Sequence, residues 1–133
     1  TSHIRLSKAG ENEIDRYRVL IIDSIGLLSS LYQYGNVAYI GGGFGVGIHN
    51  ILEAATYGLP VIFGPNYEKF KEAVDLKNLG GAFPIQNLEQ LESKLNDFLT
   101  DNSKLAEASK VCKNYIEKNV GSTNLIIKKV FNK

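Results

Sequence analysis

Short β-rich apolar runs alternate along the chain with stripes at helical spacing. Val19-Leu20-Ile21-Ile22 is a compact run ending at Asp23 and reads as a buried strand. Leu27, Leu28, Leu31 and Tyr32 then repeat at helical spacing, and Val37-Ala38-Tyr39-Ile40 reads as a second strand running straight into glycines. The pattern predicts a helix from Asn50 to Tyr57, stopped by Gly58 and Pro60, and a strand at Val61-Ile62-Phe63 ended by Gly64-Pro65. A helix is expected from Glu68 to Asn78, halted near Gly80-Gly81, and a fourth short strand from Ala82 to Ile85.

Beyond that point the pattern is helical throughout. Asn87 with Gln90 forms a capping-box-like start for a stripe of Leu88, Leu91, Leu95, Phe98 and Leu99. Leu105, Ala108, Cys112, Tyr115 and Ile116 make a second stripe, and Leu125 to Phe131 a last, partly amphipathic helix. At the start, His3 to Ser7 reads as a further strand and Ala9 to Asp15 as a polar loop. Strands alternating with helices imply an α/β fold: a Rossmann-like parallel sheet with helices on both faces, followed by a helical C-terminal region.

In such sheets ligands bind beyond the C-terminal ends of the strands. Three segments fall there: Asp23 to Leu27, Gly41 to Glu53, and Gly64 to Tyr67. They are expected to converge on one sheet edge. The middle one, GGGFGVGIHNILEA, holds five glycines within seven residues ahead of His49, Asn50 and Glu53. A cluster so costly in backbone freedom implies that the fold or a ligand needs bare backbone there.

No register of this loop satisfies G-x-G-x-x-G, and no Gly-Lys-Ser/Thr follows it, so neither a dinucleotide fingerprint nor a Walker-A loop is present. A strand leading into a helix N-terminus still favours an anion. Asn50 and Glu53 at this spacing fit an N-cap with its partner three residues on, and equally a carboxylate aimed at a ribose diol. His49 fits a phosphate donor or a loop histidine bonded to backbone. Tyr32, Tyr34, Tyr39 and Tyr57 read as core residues.

Composition narrows the classes. The chain has 133 residues, 44% hydrophobic and 22% charged, with a formal charge of +1. That balance gives no footprint for nucleic acid, and Lys128 and Lys129 are too few for a basic patch. The single Cys112 excludes an intramolecular disulfide and reads as core. No metal-ligand spacing is present, no cofactor is implied, and no apolar run is long enough to span a membrane. The chain contains no methionine, which fits a piece of a longer protein.

The order of these motifs resembles the C-terminal, donor-binding half of a GT-B glycosyltransferase, and more closely the 3-deoxy-D-manno-octulosonic acid (Kdo) transferases. Asp23-Ser24-Ile25-Gly26-Leu27-Leu28 stands where that family has Asp-Thr-x-Gly-Glu-Leu. Gly41-Gly42-Gly43 leading to His49-Asn50-Ile51-Leu52-Glu53 stands for Gly-Gly-Ser leading to His-Asn-Pro-Leu-Glu. Gly58-Leu59-Pro60-Val61-Ile62-Phe63-Gly64-Pro65 matches Gly-x-Pro-Val-x-x-Gly-Pro. The match runs from about Val19 to Ile85. Leu27 replaces the family's Glu, Gly43 its Ser, and Ile48 a common Gly.

The resemblance implies a CMP-Kdo donor and a lipid A precursor as acceptor, in lipopolysaccharide biosynthesis at the cytoplasmic face of the bacterial inner membrane. Ile25, Gly26 and Leu27 would line the cytidine pocket. His49, Asn50, Ile51, Leu52 and Glu53 would hold phosphate and ribose, with the backbone of Gly43, Gly45 and Gly47 near the phosphate. The family's catalytic base and acceptor site lie in an N-terminal half. Residues 1–133 therefore read as a single donor-binding domain, a soluble fragment that touches no membrane and is inactive alone. The alternatives are the donor domain of a UDP-sugar GT-B transferase and a non-catalytic sugar-nucleotide-binding module; a nicotinamide oxidoreductase is disfavoured by the failed fingerprint.

Overall fold

A computed structural model describes the backbone of residues 1–131 and the side chains of residues 1–120. The chain divides into two compact units, Thr1–Leu31 and Tyr32–Lys133.

In the first unit, β1 (His3–Arg5) pairs in parallel with β2 (Val19–Ile21), His3 opposite Val19 and Arg5 opposite Ile21. Short 3-10 turns at Leu6–Lys8 and Ile14–Arg16 lie between them, and α1 (Leu28–Leu31) is one turn long. Asp23 closes the unit by accepting from Ser7 N at 3.0 Å and Ser7 Oγ at 2.5 Å. Those two bonds, the side-chain one foremost, hold its carboxyl below the ordinary range. No residue of this unit is fully buried. The buried strand expected at Val19–Ile22 is corrected accordingly: Val19 and Ile21 are exposed, because their two-stranded ladder has neither of its faces sealed.

The second unit carries the core. Its strands β3 (Ala38–Tyr39), β4 (Val61–Phe63) and β5 (Ala82–Pro84) form a parallel sheet in the order β3-β4-β5. Alternation along β4 sends Val61 and Phe63 to one face and Ile62 to the other. Val61 and Phe63 pack with Ala54 and Ala55 of α2 (Leu52–Thr56), Ala73 and Leu76 of α3 (Lys71–Leu79), and Cys112. Ile62 packs with Ile85, with Phe98 of α4 (Leu88–Thr100), and with Ala108 of α5 (Asn102–Phe131). Helices thus cover both faces, and every residue of β4 is buried. A side chain the size of Phe63 gains roughly 1.5–3 kcal/mol from that burial.

The expected α/β, parallel-sheet architecture holds, although the strands fall into two sheets instead of one. Asn87 caps α4 by accepting from Gln90 N at 2.9 Å, while the Gln90 side chain reaches back to Gln86 N. Asp101 caps α5 through Ser103 N and Lys104 N. The separate last helix expected at Leu125–Phe131 is the continuation of α5. A lone Gly121 costs about 1 kcal/mol against Ala, too little to stop a helix without a proline. Its expected amphipathic face lies outside the described side chains.

Candidate functional site at the ends of β3 and β4

The chain leaves β3 into a tight hairpin. His49 N donates to Gly41 O at 3.2 Å, Gly42 bridges Ile48 in antiparallel fashion, and Gly43 N donates to Gly47 O at 2.7 Å. Phe44 and Val46 stand exposed at its tip. Gly42 and Gly43 have φ of 87° and 84°, a region that L side chains rarely adopt. A Cβ on Gly43 would also lie 2.8 Å from the Gly64 Cα, and one on Gly47 would lie 3.0 Å from the Phe70 ring.

The fold therefore requires Gly42 and Gly43, and holds Gly47 close against Phe70. It does not require Gly41 or Gly45, where an added Cβ meets nothing within 4 Å. These two leave open backbone at the C-terminal edge of the sheet, where a ligand can approach closely.

Beyond the hairpin lies the start of α2. Asn50 Oδ1 accepts from Leu52 N at 3.0 Å, and Asn50 Nδ2 donates to Glu53 Oε1 at 3.1 Å. The expected capping box is corrected: the N-cap of α2 is Ile51, which makes no side-chain cap bond, and Asn50, one residue earlier, instead forms a turn to Leu52 N while its amide orients the surface Glu53 carboxylate. His49 is exposed, and its Cδ2 would lie 2.9 Å from a Cβ on Gly42, so its ring stands over the hairpin base. Ile51 is a core residue, 1% exposed, so it is closed to a ligand, contrary to the expectation; Leu52 is half-buried. At five residues α2 is shorter than expected and brings little macrodipole. Any attraction for an anion would come from the loop backbone and not from this helix.

The strand β4 contributes the facing loop, Gly64 to Phe70. Asn66 N donates to Gly43 O at 2.9 Å and Asn66 Nδ2 to Gly45 O at 2.8 Å, tying this loop to the hairpin. Between them lies a cleft of about 380 Å³, whose lining includes Gly45, Asn66, Glu68, Lys69 and Phe70. Neither Asn66 nor Lys69 was marked by any sequence motif. Tyr32 is a third addition: it packs partly against the core beside Glu53. Burial raises its phenol above the ordinary range, and the Glu53 carboxylate raises it further.

Two of the three segments expected to converge are therefore joined, Gly41–Glu53 and Gly64–Tyr67. The third, with Ile25 exposed, Gly26 at φ 89° and Leu27 at the start of α1, belongs to the first compact unit. Tyr34, Tyr39 and Tyr57, expected in the core, are exposed. Among the described residues no three His, Cys, Asp or Glu side chains gather where they could hold a metal ion, and no helix is long and apolar enough to cross a membrane.

Comparison with known proteins gives a consistent set. No family model matches the sequence. The 3-deoxy-D-manno-octulosonic acid transferase of Aquifex aeolicus is 36% identical over 105 residues, covering 75% of this chain and 30% of that protein. The enzyme of the same name from Chlamydia pneumoniae is 36% identical over 93 residues, covering 68% of this chain and 21% of that one. The chain thus spans less than a third of the length of these curated relatives. Among solved structures, the C-terminal CMP-Kdo binding domain of WaaA from Acinetobacter baumannii superposes with a TM-score of 0.64 at 27% identity, over 83% of this chain and 60% of that one.

Proposed function

The chain belongs to the 3-deoxy-D-manno-octulosonic acid transferase family, and from that premise we propose that it is the donor-binding part of a glycosyltransferase using CMP-Kdo. The observation that carries this reading is the open backbone of Gly41 and Gly45, set beside the oriented Glu53 carboxylate at the ends of β3 and β4. A carboxylate has about four lone-pair sites and accepts several hydrogen bonds at once, so a ribose diol falls within the chemistry of Glu53. A phosphate approaches most closely where no Cβ intervenes.

In this reading Glu53 takes the ribose hydroxyls, and His49 and the open backbone of Gly41 and Gly45 face the single phosphate, while Gly43, buried and bonded at both its N–H and its C=O, and Gly47 shape the loop. Asn50 positions Glu53. The family resemblance assigns Ile25, Gly26 and Leu27 to the cytidine. The sugar goes to a lipid A precursor at the cytoplasmic face of the inner membrane. The catalytic base and acceptor site lie outside these 133 residues, so the chain binds donor without transferring sugar.

An NMR titration of the labelled chain with CMP, UMP and AMP tests this. CMP is expected to shift amides around Gly26 and from Gly43 to Glu53, with an affinity as weak as ~1 mM. Glu53→Ala should abolish the response. A preference for UMP would move the chain to the UDP-sugar transferases, and silence toward all three nucleotides at several millimolar would remove the donor-site reading of Glu53.

A further inference from the structure

We infer that Lys69, on the wall of the cleft between the glycine hairpin and the loop after β4, selects the acid sugar of the donor by pairing with its carboxylate. The inference rests on the donor-domain reading above and adds a residue that neither the motifs nor the capping geometry indicates.

The cleft shares Gly45 with the proposed phosphate site. Gly45 forms part of its lining, and the Asn66 amide that crosses to Gly45 O fixes the hairpin against the opposite wall. Phe70, packed against Gly47, lines it on the apolar side. Lys69 is the cation of this lining. Among the described residues it makes no ion pair or hydrogen bond, in contrast to Lys71, Lys94 and Lys104, each of which is held by an aspartate. Glu68 lines the same cleft and does not pair with Lys69, so it leaves the ammonium uncommitted while disfavouring anions that Lys69 does not reach.

The chemistry of the donor demands such a cation. In a 2-ulosonic acid the anomeric carbon carries both the carboxylate and the bond to the nucleotide phosphate, so the two anions are a few bonds apart. A site that places the phosphate on the glycine hairpin must place the carboxylate next to it. A flexible ammonium on a four-carbon stem suits that second anion, which CMP alone lacks.

The test compares binding of CMP-Kdo and of CMP to the 133-residue chain, wild type and with Lys69→Ala or Lys69→Arg. Lys69 is exposed, and the amide spectrum of each free variant verifies its fold. Lys69→Ala should weaken CMP-Kdo about fivefold, the scale of one exposed ion pair, and leave CMP unchanged. Lys69→Arg should restore most of the loss. Equal weakening of both ligands, which a phosphate contact or a merely structural role would give, overturns the inference, as does no weakening of either. These outcomes leave the donor-domain reading standing. A wild-type chain that binds neither ligand defeats that reading and this inference with it.

Discussion

Gly43 and Gly64 meet backbone to backbone: a Cβ on Gly64 would lie 2.6 Å from the Gly43 carbonyl carbon and 2.8 Å from Gly42 O. Neither neighbour is the end of a flexible side chain, so nothing nearby yields cheaply. Gly64→Ala is expected to destabilise the chain by about 2–3 kcal/mol, read from urea unfolding. Gly43→Ala should cost at least as much, since its φ of 84° adds backbone strain to the same collision.

Gly45→Ala should behave in the opposite way. Its added methyl meets nothing within 4 Å, and its φ is not among the positive ones. Lower unfolded-state entropy then gives a neutral or slightly higher stability, by up to about 1 kcal/mol. The CMP response should nevertheless weaken, because the methyl occupies the approach to the backbone. A variant both destabilised and unaltered in CMP binding would show that the open space at Gly45 serves no ligand.

Asn50 separates capping from ligand orientation. Asn50→Ala loses the acceptor for Leu52 N and should cost about 1 kcal/mol. Asn50→Asp keeps that acceptor but replaces the amide donor to Glu53 with a like charge. Its stability should stay within about 0.5 kcal/mol of wild type while CMP binding falls. Unchanged CMP binding in Asn50→Asp would leave Asn50 with the turn into α2 as its one role.

The Asp75 carboxylate, held by Lys71 and by the Tyr115 hydroxyl at 3.1 Å, ties α3 to α5 and carries a pH dependence at both ends. The bond from Lys71 comes first, and together they lower the Asp75 pKa beneath its ordinary 3.8. The contribution of a depressed carboxylate is present above the unfolded value and is lost as pH falls through the folded one. Tyr115 is pushed up to about 12, by burial first and by Asp75 second. Its contribution is complete below the unfolded phenol value near 10 and lost as pH rises through about 12. Chemical denaturation across pH should show both limbs, with Asp75→Asn losing the acid one and Tyr115→Phe the alkaline one.

Cys112 is fully buried, and its Sγ lies 3.3 Å from Gly81 O. Burial raises its pKa to about 11, so little thiolate exists near neutrality. A disulfide reagent should therefore leave the native chain unlabelled and react fully once urea unfolds it. Rapid labelling of the folded chain would contradict the packing around α5.

The central strand β4 was legible because Val61–Phe63 is a continuous apolar run between Pro60 and Gly64, and α4 because its cap stands three residues from its partner. Periodicity reports which residues share a face, but not whether another element covers it. That is why Leu88 and Leu99 fall on the expected stripe yet stand exposed beside buried Phe98. The Asn50–Glu53 pair was legible for the same reason as the α4 cap. The segment Gly64–Tyr67 that holds Asn66 was legible as a strand end, but the bond of its amide to Gly45 was not: it spans 21 residues of sequence, a distance at which no local pattern survives. Lys69 and Tyr32 came into view only when two loops and a helix were set side by side.

The hairpin after β3 joins an immovable base to a tip that is anchored by the Asn66 amide at Gly45 and carries exposed side chains. Gly42 and Gly43 are fixed by dihedral and by contact, whereas Phe44 and Val46 stand outside every core cluster. Descendants of this sequence can therefore exchange the two tip residues without disturbing the core clusters, while the glycines beneath them stay put. New donor preferences can be explored there one substitution at a time, with the scaffold held constant.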